Sequence, residues 1–284
     1  MDEFEGYVKI ALGAILMGSV GIFVKSTTGM NVGSIVFFRT FIGFVILFSV
    51  FYFSRHLTIF KDKSDLKYLV LSGILTGSTI FLYFKTMKEI SISVAILLLY
   101  TAPVFVAILS PVLIKEGITK ITLVSLFFSI LGIVLIAEPY KLGLGSQYFF
   151  GISIGVLSGL TYGLEMITAR YLSQMYSGIT LAVWVNLITS FMFFPFALKT
   201  PYHVIMENAV ILVFLGLIPT AIAFSLYFSG FKKVKASNAS IISLLEPVSG
   251  VFLAFLIMNE ELKMNVVLGG FLILFSVYLL VRTD

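Results

Sequence analysis

Apolar residues run along this chain in blocks of roughly twenty, each closed by a short polar or charged stretch, and none alternates with period two. A helix rising 1.5 Å per residue needs about 20 apolar residues to cross a hydrocarbon core of about 30 Å. The pattern predicts ten such helices, over 7–25, 32–54, 66–86, 92–114, 119–137, 148–170, 177–198, 207–230, 237–258 and 263–282. Spanning strands are excluded, because a sheet in lipid has to close into a barrel whose polar lumen imposes alternation.

Composition agrees. Of 284 residues, 59% are hydrophobic and 12% charged, about half the charged share of a soluble domain. A soluble globule is excluded on that ground, and disorder by the 29 Phe and 13 Tyr. The expected fold is an all-α, multi-pass protein of the cell membrane, plasma or inner, with the bilayer as its first partner. The acidic opening, with Asp2, Glu3 and Glu5, is unlike the basic start of a cleavable signal, so the first block is expected to be a retained helix.

The net charge of +5 has a side. Twelve of the 19 Lys and Arg fall on the side of the N-terminus, among them Arg55, Lys61, Lys63, Lys115, Arg170 and Lys232. Six fall on the other side, including Lys141, and Arg39 lies inside a span. Basic residues concentrate in cytoplasmic loops, so both termini are expected in the cytoplasm. The surplus then reflects topology, and no nucleic-acid partner is expected.

The two halves resemble each other. With a shift of 144, Thr76 meets Thr220, Leu82-Tyr83-Phe84 meets Leu226-Tyr227-Phe228, Pro103-Val104 meets Pro247-Val248 and Glu116 meets Glu260, without a gap. Each half holds five spans. Five is odd, so the second copy enters the membrane inverted, an architecture shared by many secondary transporters. The expected units are residues 1–141 and 148–284, two inverted five-helix repeats joined by the linker 142–147.

Leu244-Leu245-Glu246-Pro247-Val248, leading to Asn259-Glu260-Glu261-Leu262, resembles the ninth helix of the drug/metabolite transporter superfamily, EamA type. Tyr100-Thr101-Ala102-Pro103-Val104 before Lys115-Glu116 resembles its fourth helix, and Arg39 is similar to a basic residue common in its second. The resemblance spans nearly the whole chain. It implies a central cavity lined by helices 1–4 and 6–9, with helices 5 and 10 peripheral, and a cargo that ranges from amino acids to nucleotide sugars and amines.

An ionisable residue within a span costs about 2.5–3.5 kcal/mol on insertion scales, so three residues ask for a reason. Arg39 reads as a clamp for a substrate carboxylate; the alternative is a snorkelling side chain or a structural pair with a Glu. Glu246 reads as a cation or proton site, or as a brace for the break at Pro247, which frees the carbonyl of Ser243. Glu165 shares a helical face with Ser158, Thr161, Tyr162 and Thr168. It reads as a proton-coupling or amine-binding carboxylate, or as a group drawn to nearby Arg170.

Tyr83, Tyr100, Tyr162, Tyr227 and Trp184 are candidates for an aromatic cage around a cationic or aromatic ligand; as single residues they also suit interface anchors. Pro103 and Pro247 are candidate hinges. Gly73 and Gly77, and Gly151 to Gly163 every fourth residue, predict close helix packing.

The chain has no Cys, which excludes thiolate metal sites and a Cys nucleophile. His56 and His203 are expected in loops, so no metal site is expected within the membrane. There is no P-loop sequence for ATP and no dinucleotide fingerprint, so no cofactor is expected. The reading is a secondary transporter and not an enzyme, exporting small metabolites such as amino acids by alternating access. Its small-molecule substrate would bind between the repeats, with protons as a candidate coupling ion. The alternatives are a proton-coupled carrier of organic cations or drugs, and, from another class, a polytopic receptor or intramembrane enzyme. Oligomeric state leaves no mark in the sequence.

Overall fold

The structure is a computed structural model, and it describes residues 2–53, 65–89, 92–137, 147–259 and 261–283. Arg55, His56, Lys61, Lys63, Lys141, the linker 142–146 and Glu260 lie outside the described residues.

Among the described residues every regular element is helical. Ten helices are long and apolar enough to span a membrane: α1 (Glu3–Ser26), α2 (Val32–Val50), α3 (Leu66–Met87), α4 (Val94–Leu113), α5 (Lys120–Ala137), α6 (Phe149–Ser173), α7 (Gly178–Ala197), α8 (Ala209–Phe231), α9 (Ala236–Met258) and α10 (Met264–Arg282). Each end falls within four residues of its expected place. His203 departs from expectation, since it lies in a short helix, Tyr202–Glu207, between α7 and α8. The rim is apolar, with Val112, Phe191 and Phe271 among the exposed side chains, as a lipid-facing surface requires.

The bundle is assembled by small residues at helix crossings. Lipid supplies no hydrophobic drive between helices, so close backbone approach has to. Gly159 lets α6 press on α4, where a Cβ would stand 2.5 Å from the Leu98 carbonyl oxygen. Gly73 and Gly77 of α3 admit Ile188 and Met192 of α7. Gly18 of α1 crosses Gly250 of α9. The helices α5 and α10 pair with each other at the periphery, where Gly132 and Gly269 meet face to face.

Four of the helices are not continuous. The α4 span is interrupted at Tyr100-Thr101, between Ile92–Leu99 and Ala102–Leu113. The α9 span is interrupted at Ser243-Leu244, between Ala236–Ile242 and Leu245–Met258. Pro103 and Pro247 stand in the first turn of each second half, where a missing N–H costs least. The carbonyl of Ser243, expected to be freed by Pro247, accepts from the Glu246 N–H at 3.0 Å instead. The α1 span changes direction at Ser19, and α8 contains a π-helical turn, Leu217–Ile222, around Pro219. That turn directs the Thr220 hydroxyl to the Leu215 carbonyl at 2.8 Å. It was not anticipated.

The two described non-glycine residues with positive φ are Lys115 (58°) and Asn259 (53°), just beyond α4 and α9. They are 144 positions apart, the same offset that aligns the two halves.

The end of the bundle that carries both termini is closed. The Arg170 Nε donates to Glu116 Oε1 at 2.6 Å, and Nη1 donates to the carbonyls of Phe231 (2.6 Å) and Lys232 (2.9 Å). The other Glu116 oxygen accepts the Ala236 N–H at 2.8 Å. One ion pair thus ties the ends of α4, α6 and α8 to the start of α9. Beside it, Asn238 donates to the Tyr7 hydroxyl and accepts from Thr122, while Lys233 pairs with Glu5. Residues 236–245 of α9 are buried throughout, whereas residues 96–99 of α4 are only half-buried.

Candidate functional site

The breaks in α4 and α9 flank a cavity of about 160 Å³ at mid-bundle. Seven helices line it: α1 (Met17, Val20), α2 (Arg39), α3 (Thr76, Thr79, Ile80, Tyr83, Phe84), α4 (Leu99), α6 (Tyr162, Glu165), α8 (Phe224, Tyr227, Phe228) and α9 (Glu246). None of the lining residues comes from α5 or α10. Val20, Arg39, Tyr83, Phe84 and Leu99 of the lining lie in the half of the bundle opposite the termini.

The α2 helix carries Arg39 inward. Its side chain is 9% exposed and its Nε has no hydrogen-bond partner, so it does not snorkel to the headgroups. It interacts electrostatically with Glu246 across the cavity, and the backbone behind it packs on Gly216, next to the π turn of α8.

Glu246 follows the α9 break, half-buried, with Tyr100 and Tyr162 as polar neighbours. Its position in the first turn of a half-helix suits a carboxylate, because unsatisfied N–H groups there carry partial positive charge.

Glu165 is different. It is 3% exposed, and its Oε1 has no hydrogen-bond partner. Arg170, the neighbour considered from the sequence, is committed to Glu116 and the α8 carbonyls. The hydroxyl of Tyr227 (2% exposed) is also buried without a partner. Those of Tyr162 and Ser243 lie nearest, and neither meets it with hydrogen-bond geometry. A buried polar atom left unpaired costs about 1–3 kcal/mol, and three of the seven such atoms among the described residues, Arg39 Nε, Glu165 Oε1 and the Tyr227 hydroxyl, belong to residues lining this cavity.

Six of the eight residues singled out from the sequence line the cavity: Arg39, Tyr83, Tyr162, Glu165, Tyr227 and Glu246. Tyr100 stands one layer behind, buried beside Leu244 in the neighbourhood of Glu246. Trp184 is not at the site; it packs from α7 against the main apolar core. The polar stripe of α6 divides likewise. Ser158 bonds the Gly155 carbonyl, Thr168 bonds that of Leu164, and Thr161 receives the Thr79 hydroxyl at 2.9 Å. Thr76, Thr79 and Phe224 were missed. Thr76, Thr79, Ile80 and Tyr83 recur at helical spacing, a stripe that Tyr83 alone was enough to seed.

A ten-helix membrane bundle with a charged cavity at its centre is the architecture of a membrane transporter. The chain belongs to the EamA-like transporter family, which matches residues 4–137 and again 149–282. It is 30% identical over 275 residues to an uncharacterized transporter of Archaeoglobus fulgidus, covering 96% of this chain and 94% of that one. It is 24% identical to the uncharacterized inner membrane transporter YicL of Salmonella typhimurium, covering 97% and 95%. A crystal structure superposes with a TM-score of 0.81 at 17% identity, covering 95% of this chain and 94% of the other, and shows the shared fold.

Proposed function

We propose that the protein is a secondary transporter that exports small metabolites such as amino acids by alternating access, with the central cavity as its binding site. The observation that carries this reading is Arg39: a guanidinium buried at membrane depth, facing a cavity, with one N–H unpaired. Such a group recognises a carboxylate in paired, directional geometry. Glu246 holds it in place until the substrate competes for it.

Two further observations support the mechanism. The same family matches two successive stretches of five spans, and the two left-handed residues recur at the repeat offset, which supports two related units; an odd span count in each would set them in opposite orientation. The termini end is tied together by the Arg170–Glu116 network while much of the cavity lining lies in the opposite half, which fits a state closed on the termini side. The breaks at Tyr100-Thr101 and Ser243-Leu244 are where α4 and α9 would bend between them, with Pro103 and Pro247 fixing the hinge points.

Counterflow of a labelled amino-acid pool in proteoliposomes tests the reading. Accumulation by the wild type, reduced at least about tenfold in Arg39→Gln, is the expected result; a tenfold change corresponds to about 1.4 kcal/mol. Amino-acid flux equal in wild type, Arg39→Gln and empty vesicles removes it.

A further inference from the structure

We infer that Glu165, with Tyr162 and Tyr227 around it, forms a subsite for an organic ammonium group, separate from the Arg39–Glu246 pair. The inference rests on the transporter reading and narrows its cargo to amine-bearing molecules with an apolar body.

Depth separates Glu165 from Arg39. Arg39 lies seven residues from the far end of α2, and Glu165 sixteen residues from the far end of α6. At 1.5 Å per residue these are about 10 and about 24 Å into the bundle. The electrostatic partner of Arg39 is Glu246 and not Glu165. Charge separates them as well. Glu246 has Arg39 as an opposite charge in the wall of the same cavity. Glu165 has no cation of its own, because Arg170, five residues on, is turned to Glu116.

The surroundings choose among cations. A carboxylate oxygen without a donor, 97% of its side chain out of solvent, accepts from any N–H that arrives. The Tyr227 hydroxyl, also unpaired, can donate to the carboxylate or accept from an ammonium. Tyr162, Phe224 and Phe228 line the same cavity, and aromatic rings attract an alkylammonium through their negative faces and shelter its apolar body. A hydrated alkali ion would find few oxygens here, since beyond Glu165 the wall is mostly ring and aliphatic carbon. A cavity of about 160 Å³ also exceeds what a lone proton or single water needs.

The test is binding of two probes to the purified full-length protein, followed by thermal shift and calorimetry. The probes are phenethylamine, a monocation, and 3-phenylpropionate, which has the same ring and a carboxylate in place of the amine. Wild type is expected to bind phenethylamine, and Glu165→Gln to weaken it at least tenfold while leaving 3-phenylpropionate unchanged. Tyr227→Phe, which keeps the ring, is expected to weaken it a few-fold. If Glu165→Gln does not fold, Glu165→Asp takes its place, with a loss of about threefold or more expected. Phenethylamine bound equally by wild type and Glu165→Gln, or not bound by wild type, overturns the subsite. If Arg39-dependent amino-acid counterflow persists in either case, the transporter reading survives it. Absence of all counterflow removes that reading first.

Discussion

Arg39 and Glu165 owe their environments to two different backbone devices. Gly216 and the π turn of α8 lie against the turn of α2 that carries Arg39, while Glu165 sits on an unbroken helix and is buried by what packs on it. Replacing Pro219 with Ala should therefore disturb Arg39 and spare Glu165. Loss of carboxylate-dependent flux with phenethylamine binding retained is the expected split, read in the assays above. Lys115 offers a second residue-scale prediction. Its φ of 58° places an ordinary side chain where glycine is at home. Lys115→Gly should raise stability by about 0.5–1 kcal/mol, measured as an upward shift in Tm. Much of the candidate site was legible at this scale, because an Arg or Glu inside an apolar run calls for a partner, a cavity or a route to the headgroups. Trp184 misled because its size and polar N–H suit a ligand cage and a packed helix face equally. Thr79 and Phe224 passed unnoticed because a Thr or Phe in a spanning helix is common on every face.

The helices themselves were legible for an equally physical reason: a bilayer sets their length, so an apolar run and its charged ends define a span. Their interruptions were harder to see. A proline shows where a helix can begin again, yet the turns at Tyr100-Thr101 and Ser243-Leu244 precede it, in residues that helices also accept. Closure of the termini end was not visible either, because Glu116 and Arg170 are 54 positions apart and meet only when α4 and α6 cross. Arg170 also carries two backbone carbonyls of α8, and removing one partner of this part-buried pair leaves those groups unpaired, so Arg170→Ala should loosen this end. The absence of native Cys makes the check direct. A single Ser237→Cys, at a position 2% exposed, should react slowly with a water-soluble maleimide added from the termini side. It should react about tenfold faster when Arg170→Ala is added. Equal rates would mean that the network does not hold the end shut. The α6–α4 crossing admits no such graded response. Gly159→Leu, pressed against the Leu98 carbonyl, should abolish a monodisperse species in detergent.

For the molecule as a whole, the charge bias gives a directional expectation. Both termini are expected in the cytoplasm, which would place the far half of the cavity toward the outside. Green fluorescent protein fused to the C-terminus should fluoresce, and alkaline phosphatase fused there should be inactive. The reverse result would invert the direction assigned to the cavity. Inside this frame the peripheral pair of α5 and α10 has a consequence for how the protein is made. Gly132 and Gly269 meet only after 137 more residues have left the ribosome. At ~5–20 residues per second that interval is roughly 7–27 s. For that time α5 waits in lipid with its glycine face uncovered, open to any neighbouring helix with a small-residue groove. Arrival of the last span closes that seam, so a ribosome stalled before α10 would release a chain whose cavity-lining helices are all present and whose flank is still adhesive.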